Sequence, residues 1–195
     1  MAIDDARQRL ARIILRKSFK YSEDIPFTLA SGRLSPYYFN CKPTTLDPEG
    51  MNLIGNIIFD MLSDADVTAA GGLTLGADPI ANALAVISYQ RGTPIKSFTV
   101  RKDVKGHGTK SAIEGDVTAG ERVVILDDVI TTGGSTITAM ERAREAGFVI
   151  DRVIALIDRE EGGRENILQS GLVARVEAVL TRGEIMSLYE GPHVP

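Results

Sequence analysis

The chain has 195 residues, 44% of them hydrophobic and 25% charged, a length that supports a substantial core and a composition that excludes wholesale disorder. Its net charge of -4 argues against a general nucleic-acid binder, and its single cysteine, Cys41, excludes an internal disulfide framework and a thiolate metal cluster. No apolar run approaches membrane-spanning length, and the opening Met-Ala-Ile-Asp-Asp lacks the basic start and apolar centre of a signal peptide. The expectation is a soluble cytoplasmic protein of one domain, residues 1–195, with neither membrane nor nucleic acid as partner.

Asp4 or Asp5 is a candidate cap for a first helix, whose Ala6, Leu10, Ile13 and Ile14 fall near helical spacing. Arg7, Arg9, Arg12, Arg16 and Lys17 cover much of its other surface and read as a solvated face. Residues 26–40 read as two short extended pieces around a Ser31-Gly32-Arg33 turn and carry three consecutive aromatics, Tyr37, Tyr38 and Phe39. Such a segment is either a small sheet packing its rings inward or a flap over a planar ligand. Asp47-Pro48-Glu49 is a strong helix start, and Leu53, Ile54, Ile57, Ile58, Met61 and Leu62 give that helix a buried face.

Val67 to Ala70 reads as a strand running into a glycine loop, residues 71–78, with Pro79 opening the next helix. Ile95 to Val100 is a further strand. The stretch from Arg101 to Lys110 has no hydrophobic period and gathers Arg101, Lys102, Lys105, His107 and Lys110 around two glycines. It is either a loop that orders around an anion or a solvated basic loop. Val123 to Leu126 suits a strand buried on both faces. Asp127 and Asp128 end the apolar run, a loop of hydroxyls and glycines follows, and Ile137 to Ala146 reads as a helix closed by Gly147. A small-residue loop between a strand and a helix N-terminus is a ready anion site, because unpaired N–H groups converge there. The two acids would repel phosphate but suit sugar hydroxyls, so the stretch reads as a binder of a phosphorylated sugar.

Val149 to Ile157 is the next strand, with Asp158 and Arg159 at its exit. Arg159 either pairs with a nearby acid or forks onto a ligand carboxylate. A short helix (165–169), a last strand (173–180) and a capping box, Thr181 to Glu184, complete the pattern. Alternating strands and helices predict an α/β fold with a mostly parallel central sheet flanked by helices, the ligand lying outside the strands' carboxyl ends. The triphosphatase, dinucleotide, serine-hydrolase and zinc-protease motifs are all missing from the sequence.

Residues 123–135, Val-Val-Ile-Leu-Asp-Asp-Val-Ile-Thr-Thr-Gly-Gly-Ser, resemble the phosphoribosyl-diphosphate signature of type I phosphoribosyltransferases. Residues 27–40, Arg101-Lys-x-x-Lys-x-His107 and Ile157-Asp-Arg-Glu160 are similar, in that order and spacing, to the orotate phosphoribosyltransferase family. The resemblance implies a type I phosphoribosyltransferase fold with a small N-terminal hood. It also implies an enzyme that transfers ribose 5-phosphate from 5-phosphoribosyl 1-diphosphate to N1 of orotate, giving orotidine 5′-monophosphate and diphosphate. By resemblance Asp127 and Asp128 hold the ribose hydroxyls, and the loop Val129, Ile130, Thr131, Thr132, Gly133, Gly134 and Ser135 wraps the donor. Thr131 and Arg159 contact orotate, with backbone groups of Tyr38 and Phe39 closing over the ring. Arg101, Lys102, Lys105 and His107 bind the diphosphate. Mg²⁺ is implied, held mainly by substrate and water with no protein ligand set, as is a homodimer sharing its sites. Ala30 and Gly76 stand where some relatives carry lysines, so no lysine contact is expected there. The alternatives are transfer to another base, or a non-catalytic sensor of the same fold, for which the cationic loop would be superfluous.

Overall fold

The structure is a computed structural model that describes residues 3–28, 32, 34–102 and 112–190. A first helix, α1 (Ile3–Lys17), leads into short strands β1 (Phe19–Tyr21), β2 (Phe27–Thr28), β3 (Leu34–Ser35) and β4 (Tyr37–Phe39). Helices α2 (Lys42–Thr45) and α3 (Pro48–Met61) follow, then β5 (Ala69–Leu73), α4 (Asp78–Gln90), β6 (Lys96–Val100) and β7 (Ile113–Glu114). The second half alternates strictly: β8 (Arg122–Ile130), α5 (Gly134–Glu145), β9 (Val149–Asp158), α6 (Gly163–Gln169), β10 (Val176–Thr181) and α7 (Arg182–Glu190).

Six strands form one sheet in the order β10-β9-β8-β5-β6-β7, parallel except for β7. Alternate residues of β8 feed two cores. Val124 and Leu126 pack with Leu10, Ile14, Ile54, Ile58 and Leu84 of α1, α3 and α4. Val123 and Ile125 pack with Met140, Ala143 and Ile167 of α5 and α6 on the opposite face. A sheet covered on both sides explains why its strands read as continuous apolar runs. Chain order runs outward from β5 to β6 and then returns to β8 on β5's other side, so the topological switch lies between β5 and β8.

The N-terminal strands form the hood. β1 pairs with β4, and β2 pairs with β3; Gly32, between the latter two, has a φ of 78°, which suits glycine. The rings of Phe19, Tyr21, Tyr37 and Phe39 pack together, and Tyr38 stacks on Phe27 instead.

Local signals place most helix ends correctly. The Asp47 side chain accepts from the N–H groups of Glu49 and Gly50 at 3.1 Å each. Thr181 and Glu184 exchange the two bonds of a capping box, at 2.7 and 3.2 Å. Asp4 and Asp5, in contrast, lie inside the first turn of α1, where they face the positive end of the helix dipole. The basic side of α1 is not simply solvated: Arg7 pairs with Glu184, Arg9 with Glu49 and Lys17 with Asp47.

Strand β5 begins and ends later than the apolar run suggests, because Gly71 and Gly72 belong to it. A Cβ on Gly71 would stand 2.0 Å from the Phe98 carbonyl oxygen, and one on Gly72 would stand 2.0 Å from that of Leu126. Both positions need a missing side chain to let neighbouring strands close on β5. Gly72→Ala is therefore expected to destabilise the fold by about 1–3 kcal/mol. Urea unfolding should show a lowered midpoint at unchanged slope.

Candidate active site

At the carboxyl end of β8 the acids are not equivalent. Asp127 is only 6% exposed. Its Oδ2 accepts the hydroxyls of Ser135 at 3.0 Å and Thr136 at 2.6 Å, and its Oδ1 accepts the N–H of Asp128 at 3.0 Å. Burial, opposed chiefly by the Thr136 hydrogen bond and reinforced by Asp128, raises its pKa from the ordinary value near 3.8 to about 6. Asp128 is half-buried, with Oδ1 accepting the N–H of Val129 at 3.0 Å, and it leans over the β5–α4 loop. A Cβ on Gly76 would lie 2.5 Å from Asp128 Oδ1. The glycine loop and the second acid thus meet at the topological switch.

The loop after the acids is shorter than the sequence suggests. Asp127 to Ile130 continue β8, because they pair with Ala155 to Asp158 of β9. Ile130 is buried in the core, and its carbonyl accepts the N–H of Arg159, so its side chain does not line a ligand surface. Thr131, Thr132 and Gly133 make the turn, and Gly133 caps α5 at φ 83° with no side chain covering the helix N-terminus. The first-turn N–H groups of α5 thus have no side-chain cap among the described residues. Asn166 holds the turn by donating to the Thr132 carbonyl at 3.1 Å, and Gly163 packs so closely that a Cβ there would stand 2.6 Å from the Thr131 oxygen. Neither residue stood out in the sequence.

Arg159 leaves β9 beside this turn, 3% exposed. Its Nε and Nη2 meet Glu161 Oε1 at 2.9 and 2.7 Å, and Nη2 also donates to Ser35 Oγ at 3.0 Å and the Tyr37 carbonyl at 3.4 Å. Its guanidinium carbon lies 5.8 Å from the centre of the Phe39 ring. Pairing with a nearby acid is thus the arrangement seen. Nη1 makes no hydrogen bond to another described residue, which leaves one edge of the guanidinium for a further acceptor. The inward-packing reading of the aromatics holds for Phe39, which is buried, whereas Tyr38 is 36% exposed.

Of the cationic stretch, Arg101 pairs with Glu114 at 2.9 Å, and the exposed Lys102 has its carbonyl held by Arg142 Nη2 at 2.8 Å. Lys105 and His107 lie outside the described residues. Cys41 is buried below the acids, its thiol pushed up first by desolvation and then by Asp128, which keeps it neutral. Among the described residues no group of three or more His, Cys, Asp or Glu side chains is disposed to hold a metal ion.

The chain is 49% identical to the orotate phosphoribosyltransferase of Aquifex aeolicus, over 85% of this chain and 91% of that one. It belongs to the orotate phosphoribosyltransferase family. The enzyme of the same name from Bradyrhizobium sp. strain BTAi1 is 46% identical over 90% of this chain and 95% of its own. Among solved structures, the orotate phosphoribosyltransferase of Mycobacterium tuberculosis H37Rv in complex with 5-phospho-α-D-ribosyl 1-diphosphate superposes with a TM-score of 0.75 at 34% identity, covering 93% and 99% of the two chains. The Leishmania donovani adenine phosphoribosyltransferase shares the fold, with a TM-score of 0.62 at 16% identity. No protein-family model matches the chain. The family assignment makes the chain a pentosyl-transferring enzyme of pyrimidine nucleotide synthesis.

Asp127 supplies a signed pH test. Its folded pKa lies above its unfolded value, so the folded state holds the extra proton and this group's contribution to stability falls as pH rises from near 3.8 through about 6. Asp127→Asn does not titrate there. The stability of the variant relative to the wild type is expected to improve between pH 4 and pH 7, read by urea unfolding at each pH; a constant difference would show that Asp127 does not titrate in that window.

Proposed function

We infer that the chain catalyses transfer of ribose 5-phosphate from 5-phosphoribosyl 1-diphosphate to N1 of orotate. The observation that carries the base assignment is Arg159, buried against the hood through Ser35, the Tyr37 carbonyl and Phe39, with its N–H bonded to the Ile130 carbonyl just before the turn that follows the acids. A fixed cation under an aromatic flap suits a planar base bearing a carboxylate, which uracil lacks. The uncapped first turn of α5 suits the 5′-phosphate, and Asp128 suits the ribose hydroxyls. Asp127 is bonded inward to Ser135 and Thr136, so its part in holding the sugar would run through orientation of that turn as much as direct contact.

In the reaction the bond between C1′ and the diphosphate oxygen breaks, its electron pair leaving with diphosphate. The N1 electron pair of deprotonated orotate forms the new bond to C1′. Positive charge grows on the ribose and negative charge on the leaving group, so Arg101, Lys102, Lys105 and His107 are the residues proposed to stabilise the diphosphate. Mg²⁺ would add to that stabilisation by offsetting negative charge on the leaving group. The half-buried Asp128 carboxylate is a hard oxygen donor compatible with it. Thr131 and the backbone at Tyr38 and Phe39 are proposed to complete the base pocket.

A homodimer is the proposed assembly, with residues 1–195 as one catalytic domain. Its support is an apolar strip on α4, where Val86 and Tyr89 are 58% and 77% exposed beside a groove shared with Met51 of α3. No helix among the described residues is long and apolar enough to cross a membrane, and a cytoplasmic location fits a pathway enzyme acting on polar metabolites.

Purified protein with orotate, 5-phosphoribosyl 1-diphosphate and Mg²⁺ is expected to consume orotate, followed by its loss of absorbance. Turnover of a purine base in its place would overturn the base assignment. Lys105→Ala should lower kcat on the order of a hundredfold with the fold intact, and Asp128→Asn should weaken donor binding roughly tenfold. Unchanged values would remove each residue from its role.

A further inference from the structure

Asp78, the first residue of α4, is half-buried at the mouth of the site. Each of its carboxylate oxygens receives one hydroxyl: Oδ2 accepts from Thr74 at 2.7 Å, and Oδ1 from Thr99 at 3.0 Å. Thr74 opens the loop between β5 and α4, while Thr99 lies on β6, two residues before Arg101. The strands themselves are already joined by backbone pairing, Gly72 with Thr99 and Leu73 with Val100, and by the Thr74 N–H to the Val100 carbonyl at 2.8 Å. What the carboxylate adds falls on the loop from Thr74 to Ala77, not on the sheet.

That loop is the one on which Asp128 rests. With Gly76 so close to the acid, a shift of the loop by a few tenths of an ångström alters the space available to the Asp128 carboxylate. A negative charge at the N-terminus of α4 is favoured by the helix dipole. Both of its oxygens are held by hydroxyls, which fixes the direction in which the carboxylate faces.

We propose that Asp78 is a positioning residue: with Thr74 and Thr99 it clamps the Thr74–Ala77 loop in the shape that sets the Asp128 carboxylate over the donor's ribose. The proposal rests on the phosphoribosyl-transfer reading above. It assigns Asp78 no contact with substrate; its effect passes through the loop and Asp128.

Thr99→Val removes one hydroxyl at nearly constant volume. Titration calorimetry of 5-phosphoribosyl 1-diphosphate with Mg²⁺ is expected to show Kd raised roughly threefold to tenfold, the size of one ordinary hydrogen bond. Thr99→Ser should recover most of that affinity. In the steady state the KM for the donor should rise while the KM for orotate and the thermal midpoint stay near wild type. Asp78→Asn combined with Thr99→Val should be less than additive, as expected for partners in one clamp. An unchanged Kd in Thr99→Val, or donor and orotate constants rising together with a fall in thermal midpoint, would overturn the clamp. Wild-type protein that binds the donor but leaves orotate untouched would break the base assignment while the calorimetric comparison still decides the clamp.

Discussion

A buried charge must be compensated, and that constraint shapes the working end of this molecule. Arg159 and Asp127 are 3% and 6% exposed at the carboxyl ends of adjacent strands. Left alone, each would cost several kcal/mol. The partners that compensate them are the elements that build the site. Ser135 and Thr136 are drawn to Asp127, which fixes the turn into α5. Glu161, Ser35 and the Tyr37 carbonyl are drawn to Arg159, which ties the hood to the sheet. The third buried charge, Arg152, is enclosed by Asp64, Asp151 and Glu177 and serves the scaffold.

In the proposed reading the two compensated charges also divide the chemistry. Asp127, Asp128 and the uncapped α5 terminus are the proposed donor half, on the side of the switch between β5 and β8. Arg159 and the hood are the proposed base half. Because the hood is fastened partly through the arginine proposed to read the base, occupation of the pocket would be coupled to placement of the aromatics. A ligand carboxylate at the Nη1 edge would join Glu161 around one guanidinium, so the arginine would be shared rather than surrendered.

Much of the scaffold was legible in the sequence, and the exceptions have physical causes. Long β-branched runs such as Val123–Leu126 and Val153–Ile157 can only be buried strands, and Asp47-Pro48 and Thr181–Glu184 carry their cap chemistry on adjacent residues. Gly71 and Gly72 were misplaced into a loop because glycine ordinarily weakens strands; here close approach of neighbouring carbonyls requires it. Strands β1 and β7, of three and two residues, are too short to show a period. Val173 extends an apolar run but lies before β10, buried without being paired. The strand, turn and helix around the two acids were legible because they are contiguous. The pairings of Ser35 with Arg159, 124 residues apart, and of Asp78 with Thr99, 21 apart, were not, since isolated polar residues announce no partner until the chain is folded.

The central claim is that Arg159 selects the base through its charge while the rest of the site handles the donor. The direct measurement is kcat/KM for orotate and for uracil, in the wild type and in Arg159→Gln, with titration of 5-phosphoribosyl 1-diphosphate as control. The account predicts that the wild type prefers orotate strongly and that Arg159→Gln loses at least tenfold of that preference while donor affinity stays within about threefold, a buried charge-assisted contact being removed from one half alone. An unchanged preference, or an equal loss of donor affinity, would contradict it.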